Sequence, residues 1–170
     1  KKVYNEMFKI YNFHNYEKFI PTKVITEDSN SGFECFNRIY PEICISAGGK
    51  TKIYKLLRDL KSEKTIIIVD GAAFGSEIEK LYKYIALFAD NYVLFAPESF
   101  EYLLLKSGIV SVPQAVLEET YNFADSKTYL SWEEFFTDYL VKLTKGSVFQ
   151  YSKSKLKESY KSSGSIDKIK

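Results

Sequence analysis

Acidic side chains follow three short apolar segments of this 170-residue chain. They are Glu27 and Asp28 after the first segment, Asp70 after the second, and Glu98 with Glu101 after the third. Carboxylates that lie close together repel one another and raise one another's pKa unless a cation lies among them. Oxygen ligands without His or Cys suit Mg²⁺ or Mn²⁺ better than zinc. The pattern therefore predicts a divalent-cation site if the fold brings these segments together.

Each acid also has an ordinary structural explanation. Glu27 and Glu98 would be stabilised at helix N-termini by the helix dipole. Asp70 would cap the turn bounded by Gly71 and Gly75. A single acid therefore indicates little, and only the three segment ends taken together favour a metal site.

The turn Gly48-Gly49-Lys50-Thr51 is a second candidate site, for a phosphate group. It resembles the end of a phosphate-binding loop but lacks the first glycine of the full motif. Gly48, Gly49 and Lys50 would present backbone N–H groups and a cation to a phosphate at a helix N-terminus. A tight strand-to-helix turn with a solvent-facing lysine explains the same residues, and both interpretations stay open.

Nucleophilic triads and zinc sites are disfavoured because the chain has one His and two Cys. His14 lies in an aromatic N-terminal segment, away from the acids. Cys35 and Cys44 fall in a predicted helix and strand and are typical of small core residues. With no disulfide framework and no apolar run near the ~20 residues that span a bilayer, we expect a cytoplasmic protein that does not enter the membrane.

The elements that must position the acids alternate along the chain. Four strands are predicted at 23–27, 43–46, 65–70 and 92–96. Helices are predicted after each of them, at 33–39, 50–61, 76–90 and 97–108. This alternation favours a doubly wound α/β fold with a mainly parallel four-stranded sheet, which binds ligands beyond the carboxyl ends of its strands. The acids lie at those ends.

The alternation stops after Gly108, and the sequence divides accordingly. We expect an aromatic lead-in over 1–21, an α/β core over 22–110, a helical appendage over 111–161 and a flexible basic tail over 162–170. Helices are predicted at 116–123 and 131–144, the second one opened by a Ser131–Glu134 capping box. The start at Lys1 without methionine suggests a trimmed chain or a fragment of a longer protein.

Charge and aromatic content leave a nucleic-acid partner open. The net charge is +2, but residues 145–170 hold seven lysines and two acids, so that the remainder carries −3. This basic end would contact phosphates or only keep the chain terminus solvated. Aromatic residues make up 16% of the chain and would either stack on bases or fill the core.

Four segments in this order resemble a Toprim domain, the α/β module of topoisomerases and primases. Val24–Glu27 resembles its first strand, and Ser46–Leu57 resembles the Gly-Gly-Lys turn and helix of OLD-family nucleases and related phage-defence proteins. Ile66–Asp70, followed by Gly75, resembles its Asp-x-Asp-x-x-Gly strand end. Pro97–Leu104 is similar to an acidic helix start in the OLD branch. The resemblance covers about half of the chain.

The resemblance implies a role for each matching acid. Glu27 would be a general acid/base or metal ligand, and Asp70 a Mg²⁺ ligand. Glu98 or Glu101 would complete a second metal position. Such sites cleave or transfer phosphodiesters, because the metal stabilises the attacking and leaving oxygens.

One departure from the motif leaves two functions open. Ala72 replaces the second Asp, and the ATPase half of the OLD family is absent, so that any ATPase partner would be a separate chain. The first function is a Mg²⁺- or Mn²⁺-dependent nuclease acting on DNA or RNA. The second is a degenerate Toprim module that binds nucleic acid or the partner ATPase without catalysis. A nucleotide-binding protein that uses Lys50 is a third possibility.

Overall fold

The structure is a computed structural model that describes residues 19–60, 63–71, 74–75 and 77–170. Most of the predicted lead-in, with His14, and also Ala72 lie outside these residues. The first part alternates strands and helices, in the order β1 (Lys23–Thr26), α1 (Ser31–Ile39), β2 (Cys44–Ser46), α2 (Lys50–Asp59), β3 (Thr65–Ile68), α3 (Glu77–Leu87), β4 (Tyr92–Phe95) and α4 (Phe100–Lys106).

The four strands form one parallel sheet in the order β2-β1-β3-β4. This confirms the predicted α/β class and the four-stranded sheet. The chain runs from β1 outward to β2 on one side, and then through β3 to β4 on the other. The strand order therefore reverses between β1 and β3, which is the switch point where open sheets of this type bind ligands.

Apolar side chains of the central strands point to both faces of the sheet. Ile25 and Ile67 have no exposed surface and pack in one core with α2 and α3. Val24 and Ile68 face the opposite side, where they pack with α1 and α4. Strands that are covered on both faces have nearly continuous apolar sequences, which is why these strands could be predicted from the sequence.

Helices of the C-terminal part belong to the second of these cores. Its elements are α5 (Gln114–Glu118), a 3₁₀ turn (Thr120–Asn122), α6 (Trp132–Thr144), α7 (Glu158–Lys161) and α8 (Ser163–Ile169). Phe136, Leu140 and Tyr160 are fully buried in the same cluster as Val24 and Leu104. The region predicted as an appendage is therefore a packing layer on the sheet.

The start of α6 has one of the two bonds of its predicted capping box, and the second goes to Leu130 in place of the N-cap Ser131. The Ser131 hydroxyl accepts a hydrogen bond from the Glu134 N–H at 3.1 Å, and the Glu134 carboxylate accepts one from the Leu130 N–H at 2.9 Å. None of the helices within the described residues has both the length and the apolar character needed to cross a membrane.

Residues 162–170 differ from the flexible tail that the sequence predicted. They form α8, whose N-cap Ser162 accepts a hydrogen bond from the Ser165 N–H. Ile166 is only 6% exposed and Ile169 packs against the same core. The two isoleucines, three positions apart, give this short polar helix an apolar side, and burying that side orders the chain end.

Candidate functional site at the switch point

Glu27 and Asp70 lie side by side at the switch point. Thr26 and Ile68 are paired across β1 and β3, and Glu27 directly follows the first of them. The Glu27 carboxylate accepts a hydrogen bond from the backbone N–H of Asp70, with 3.2 Å between Oε2 and N. The two acids, which the sequence placed at strand ends, are thus brought together by the sheet.

Asp70 is also tied to the start of α4. Its Oδ1 accepts a hydrogen bond from the Phe100 N–H at 3.0 Å. The next residue, Gly71, donates its N–H to the Pro97 carbonyl at 2.6 Å. A Cβ at Gly71 would lie 2.9 Å from the carbonyl oxygens of both Ala96 and Pro97, so this close approach requires glycine. It brings the first turn of α4 against Asp70.

Glu101, in that first turn, is the acid that α4 contributes. Glu101 is 1% exposed, and its Oε1 accepts a hydrogen bond from the Tyr151 hydroxyl at 2.7 Å. Its Oε2 is buried and, among the described residues, has no hydrogen-bond partner. A buried carboxylate oxygen without a partner is costly. We refer to Glu27, Asp70, Glu101 and Glu133 as the acidic cluster.

Burial and, after it, mutual repulsion shift the pKa values in the acidic cluster. Burial, assisted first by the charge of Glu101 and then by those of Glu133 and Glu27, raises the pKa of Asp70 to about 8. Burial also raises the pKa of Glu27, although the hydrogen bond from the Asp70 N–H and the charge of Lys50 oppose this shift. Such a cluster is stabilised by a bound proton or a bound cation.

Glu133 and Lys153 reach the cluster from the C-terminal layer. Glu133, in the first turn of α6, forms an ion pair with Lys153, whose side chain is 51% exposed. Burial lowers the pKa of Lys153, but the hydrogen bond to Glu133 and the charges of Glu101, Glu133 and Asp70 leave it above its ordinary value. Nothing in the sequence pointed to this pair apart from the positive charge of residues 145–170.

Asp28 has a structural role instead. Its carboxylate accepts hydrogen bonds from the N–H groups of Asn30, Gly32 and Phe33 at 3.3, 3.2 and 3.0 Å. It thereby satisfies the first donors of α1, as an N-cap carboxylate does. Burial raises the pKa of Asp28 in spite of these bonds.

Glu98 differs from Glu101 in its surroundings. The cap of α4 is Ser99, whose hydroxyl accepts a hydrogen bond from the Tyr102 N–H at 3.1 Å, so that Glu98 precedes the helix. Burial alone raises the pKa of Glu98, and its charge contributes to the raised pKa of Tyr102. Of the two candidates, Glu101 is the one that acts on Asp70.

The glycine turn lies beside Glu27, but its N–H groups are already engaged. Gly48 and Gly49 have φ values of 68° and 129°, which favour glycine. The Gly49 N–H donates to the Glu27 carbonyl at 2.8 Å, and the Gly48 N–H donates to the Ser46 hydroxyl at 3.0 Å. The structure thus favours the strand-to-helix turn over a backbone phosphate cradle. Lys50 begins α2, and its charge acts on Glu27.

The carboxylates of the described residues are not arranged as a complete metal-binding site. Within the described ranges, no group of three or more His, Cys, Asp or Glu side chains is arranged to hold a metal ion. One oxygen of Glu27 and one of Asp70 accept the backbone hydrogen bonds described above. Each of these carboxylates has a second oxygen, and Glu101 has its unpartnered Oε2.

No protein-family model, curated protein or solved structure matches this chain. The Toprim resemblance therefore rests on the residues that carry it.

Proposed function

We propose that this protein is a Toprim-like enzyme that uses a divalent cation, Mg²⁺ or Mn²⁺, to cleave phosphodiester bonds in nucleic acid. The observation that carries the proposal is the buried, unpartnered Oε2 of Glu101 in a cluster that raises the pKa of Asp70. A cation among these oxygens would relieve both the unsatisfied oxygen and the repulsion.

The available oxygens suit such a cation in number and type. Glu27, Asp70 and Glu101 each offer one oxygen beyond those that accept protein hydrogen bonds. Mg²⁺ commonly takes one or two carboxylates and keeps several waters. Three carboxylate oxygens together with waters would therefore suffice, without a cage of six protein ligands.

The surrounding residues suit phosphodiester cleavage. A divalent cation supplies stabilisation of the attacking and leaving oxygens in such reactions. Burial raises the pKa of Glu27, which is the direction that suits a carboxyl group acting as a general acid/base. Lys50 and Lys153 act electrostatically on Glu27 and Asp28, respectively, so both flank the site with positive charge that would attract the phosphate of a DNA or RNA backbone.

A cleavage assay on plasmid DNA and on RNA tests this function. We expect cleavage with Mg²⁺ or Mn²⁺, none with a chelator, and a loss of about 10²-fold or more in Glu27→Gln and Asp70→Asn, as for an acid/base or metal-binding group. Glu98→Gln is the matched control and should cleave like the unmodified protein. Cleavage that persists unchanged in Asp70→Asn, or without metal, would contradict the proposal.

A second function is favoured by two observations. Lys153 already provides a cation to the cluster through its ion pair with Glu133, and Ala72 supplies no carboxylate. A degenerate Toprim module would then bind nucleic acid, or a separate ATPase chain, without cutting. Nucleic-acid binding measured by fluorescence anisotropy, together with no cleavage under either metal, would select this function.

We also infer a reducing, cytoplasmic location. Cys35 and Cys44 are both buried and both free thiols, which is the usual state of cysteines in that compartment.

A further inference from the structure

A buried tyrosine joins the acidic cluster to the C-terminal layer. The Tyr151 hydroxyl lies 2.7 Å from Glu101 Oε1 and 2.9 Å from the Ser31 hydroxyl. The three residues are 3%, 1% and 1% exposed, respectively. They come from three separate parts of the fold: the start of α1, the first turn of α4, and the segment between α6 and α7.

The direction of these hydrogen bonds follows from proton counting. A phenol has one hydrogen, and a carboxylate only accepts. Tyr151 therefore donates to Glu101, and Ser31 donates to Tyr151. With Oε1 held in this way, the rotation of the Glu101 carboxylate is fixed and Oε2 is the atom left for the cluster.

Tyr151 is itself held rigidly. Its backbone N–H donates to the Thr144 hydroxyl at 2.9 Å, and that hydroxyl donates to the Leu140 carbonyl at 2.7 Å. Its ring packs edge-on against Tyr160, with 6.2 Å between the ring centroids. The position of the hydroxyl is therefore set by the packing of residues 140–160 onto the sheet.

We propose that Tyr151 is the positioning residue that holds Glu101 for the cation, so that packing of the C-terminal layer and cation binding are thermodynamically linked. The inference rests on the proposed cation site. Groups that hydrogen-bond to a metal ligand orient it, and their removal typically weakens metal binding about 10- to 100-fold. Because coupling between two sites is reciprocal, cation binding must in turn stabilise the layer that carries Tyr151.

Titration calorimetry of the full chain with Mg²⁺ tests the first part. We expect Tyr151→Phe, which keeps the ring and removes the hydroxyl, to weaken Mg²⁺ binding by about 10-fold or more. Tyr92→Phe is the matched control, because the Tyr92 hydroxyl is also buried and donates to the Leu57 carbonyl, but it lies in the core on the other face of the sheet. It should bind Mg²⁺ like the unmodified protein.

Ser31→Ala provides a second variant should Tyr151→Phe fold poorly. It removes the donor to Tyr151 and leaves the Tyr151 hydroxyl with Glu101 as its remaining partner, so we expect a smaller but measurable loss of Mg²⁺ affinity. Equal affinity in Tyr151→Phe or, if that variant is unfolded, in Ser31→Ala would overturn the inference. An equal loss in Tyr92→Phe would also overturn it, because the effect would then reflect core packing in general.

Amide hydrogen exchange tests the linkage. Saturating Mg²⁺ should slow exchange of the Tyr151 amide in the unmodified protein and should slow it much less in Tyr151→Phe. No slowing in the unmodified protein, in spite of measurable Mg²⁺ binding, would overturn the inference and leave the cation site standing. An unmodified protein that binds no Mg²⁺ would instead refute the proposed function, and this inference with it.

Discussion

The Glu27 carboxylate accepts a hydrogen bond from the backbone N–H of Asp70, at 3.2 Å. This bond crosses from the end of β1 to the end of β3, which are the two strands on either side of the switch point. It places one acid against the backbone of the other, so that any change of charge at Glu27 must change the pKa of Asp70.

Glu27→Gln should lower the pKa of Asp70. The glutamine amide oxygen can still accept the hydrogen bond from the Asp70 N–H, but the negative charge that helps to raise the pKa of Asp70 is gone. A carbon-13 NMR titration of the Asp70 carboxyl group measures this. Glu98→Gln serves as the control, and a pKa decrease as large in that variant would show that the effect is not local.

Asp70→Asn should stabilise the metal-free protein, and more so as the pH rises. Folded Asp70 keeps its proton up to a pH of about 8, whereas the ordinary value of its pKa is 3.8. Between these values the folded state binds more protons than the unfolded state, so the native protein loses stability as the pH increases. Asparagine removes this penalty and can still accept the Phe100 N–H bond.

Thermal unfolding with a chelator, across this pH window, measures the effect. Each kcal/mol should appear as about 2–4 °C in Tm for a chain of this size. The Tm advantage of Asp70→Asn should vanish at the acidic end, where both proteins carry an uncharged side chain. Parallel Tm curves over the whole range would show that Asp70 is not held protonated in the folded state.

Gly71→Ala should destabilise the protein by about 1–3 kcal/mol, as overpacking does. The added Cβ would meet two backbone carbonyl oxygens at 2.9 Å, which cannot move aside as a flexible side chain can. Gly164→Ala, in α8, meets nothing within 4 Å and should stabilise by about 0.5–1 kcal/mol. Urea denaturation compares the two variants, and equal effects would show that the β3 and β4 ends are not in contact.

Cys35 and Cys44 should be inert to thiol reagents in the native protein. Burial raises the pKa of Cys35 to about 12 and that of Cys44 to about 11, and only the thiolate reacts. A colorimetric thiol assay should detect both groups in denaturant and neither under native conditions. Rapid stoichiometric reaction of the native protein would place at least one cysteine at the surface.

The sequence was sufficient for the framework of the fold. β-branched runs such as Thr65–Ile68 can be buried on both faces only in a covered parallel sheet, and helical periodicity in between provides the cover. The α/β class, the four strands and the positions of Glu27 and Asp70 at strand ends follow from that local pattern, whereas the pairing of β1 with β3 was decided by the tertiary structure. The ordered end of the chain did not, because α8 depends on only two isoleucines packed against distant residues.

The choice between Glu98 and Glu101 was decided by the tertiary structure. Both acids follow β4 at suitable spacing, but the Ser99 cap and the close approach of Gly71 to Pro97 set where α4 begins and which way its first turn points. The direction of a side chain depends on this packing, and composition and spacing carry no information about it.

The sequence by itself determined which acids stand at strand ends, because strand ends are fixed by local apolar runs. Only the tertiary structure brought Glu133, Tyr151 and Lys153 to those acids. Tyr151 meets Glu101 across 50 residues of chain and meets Ser31 across 120. Such contacts leave no local periodicity, since they arise from the burial of whole helices against the sheet, and this burial is a property of the assembled core.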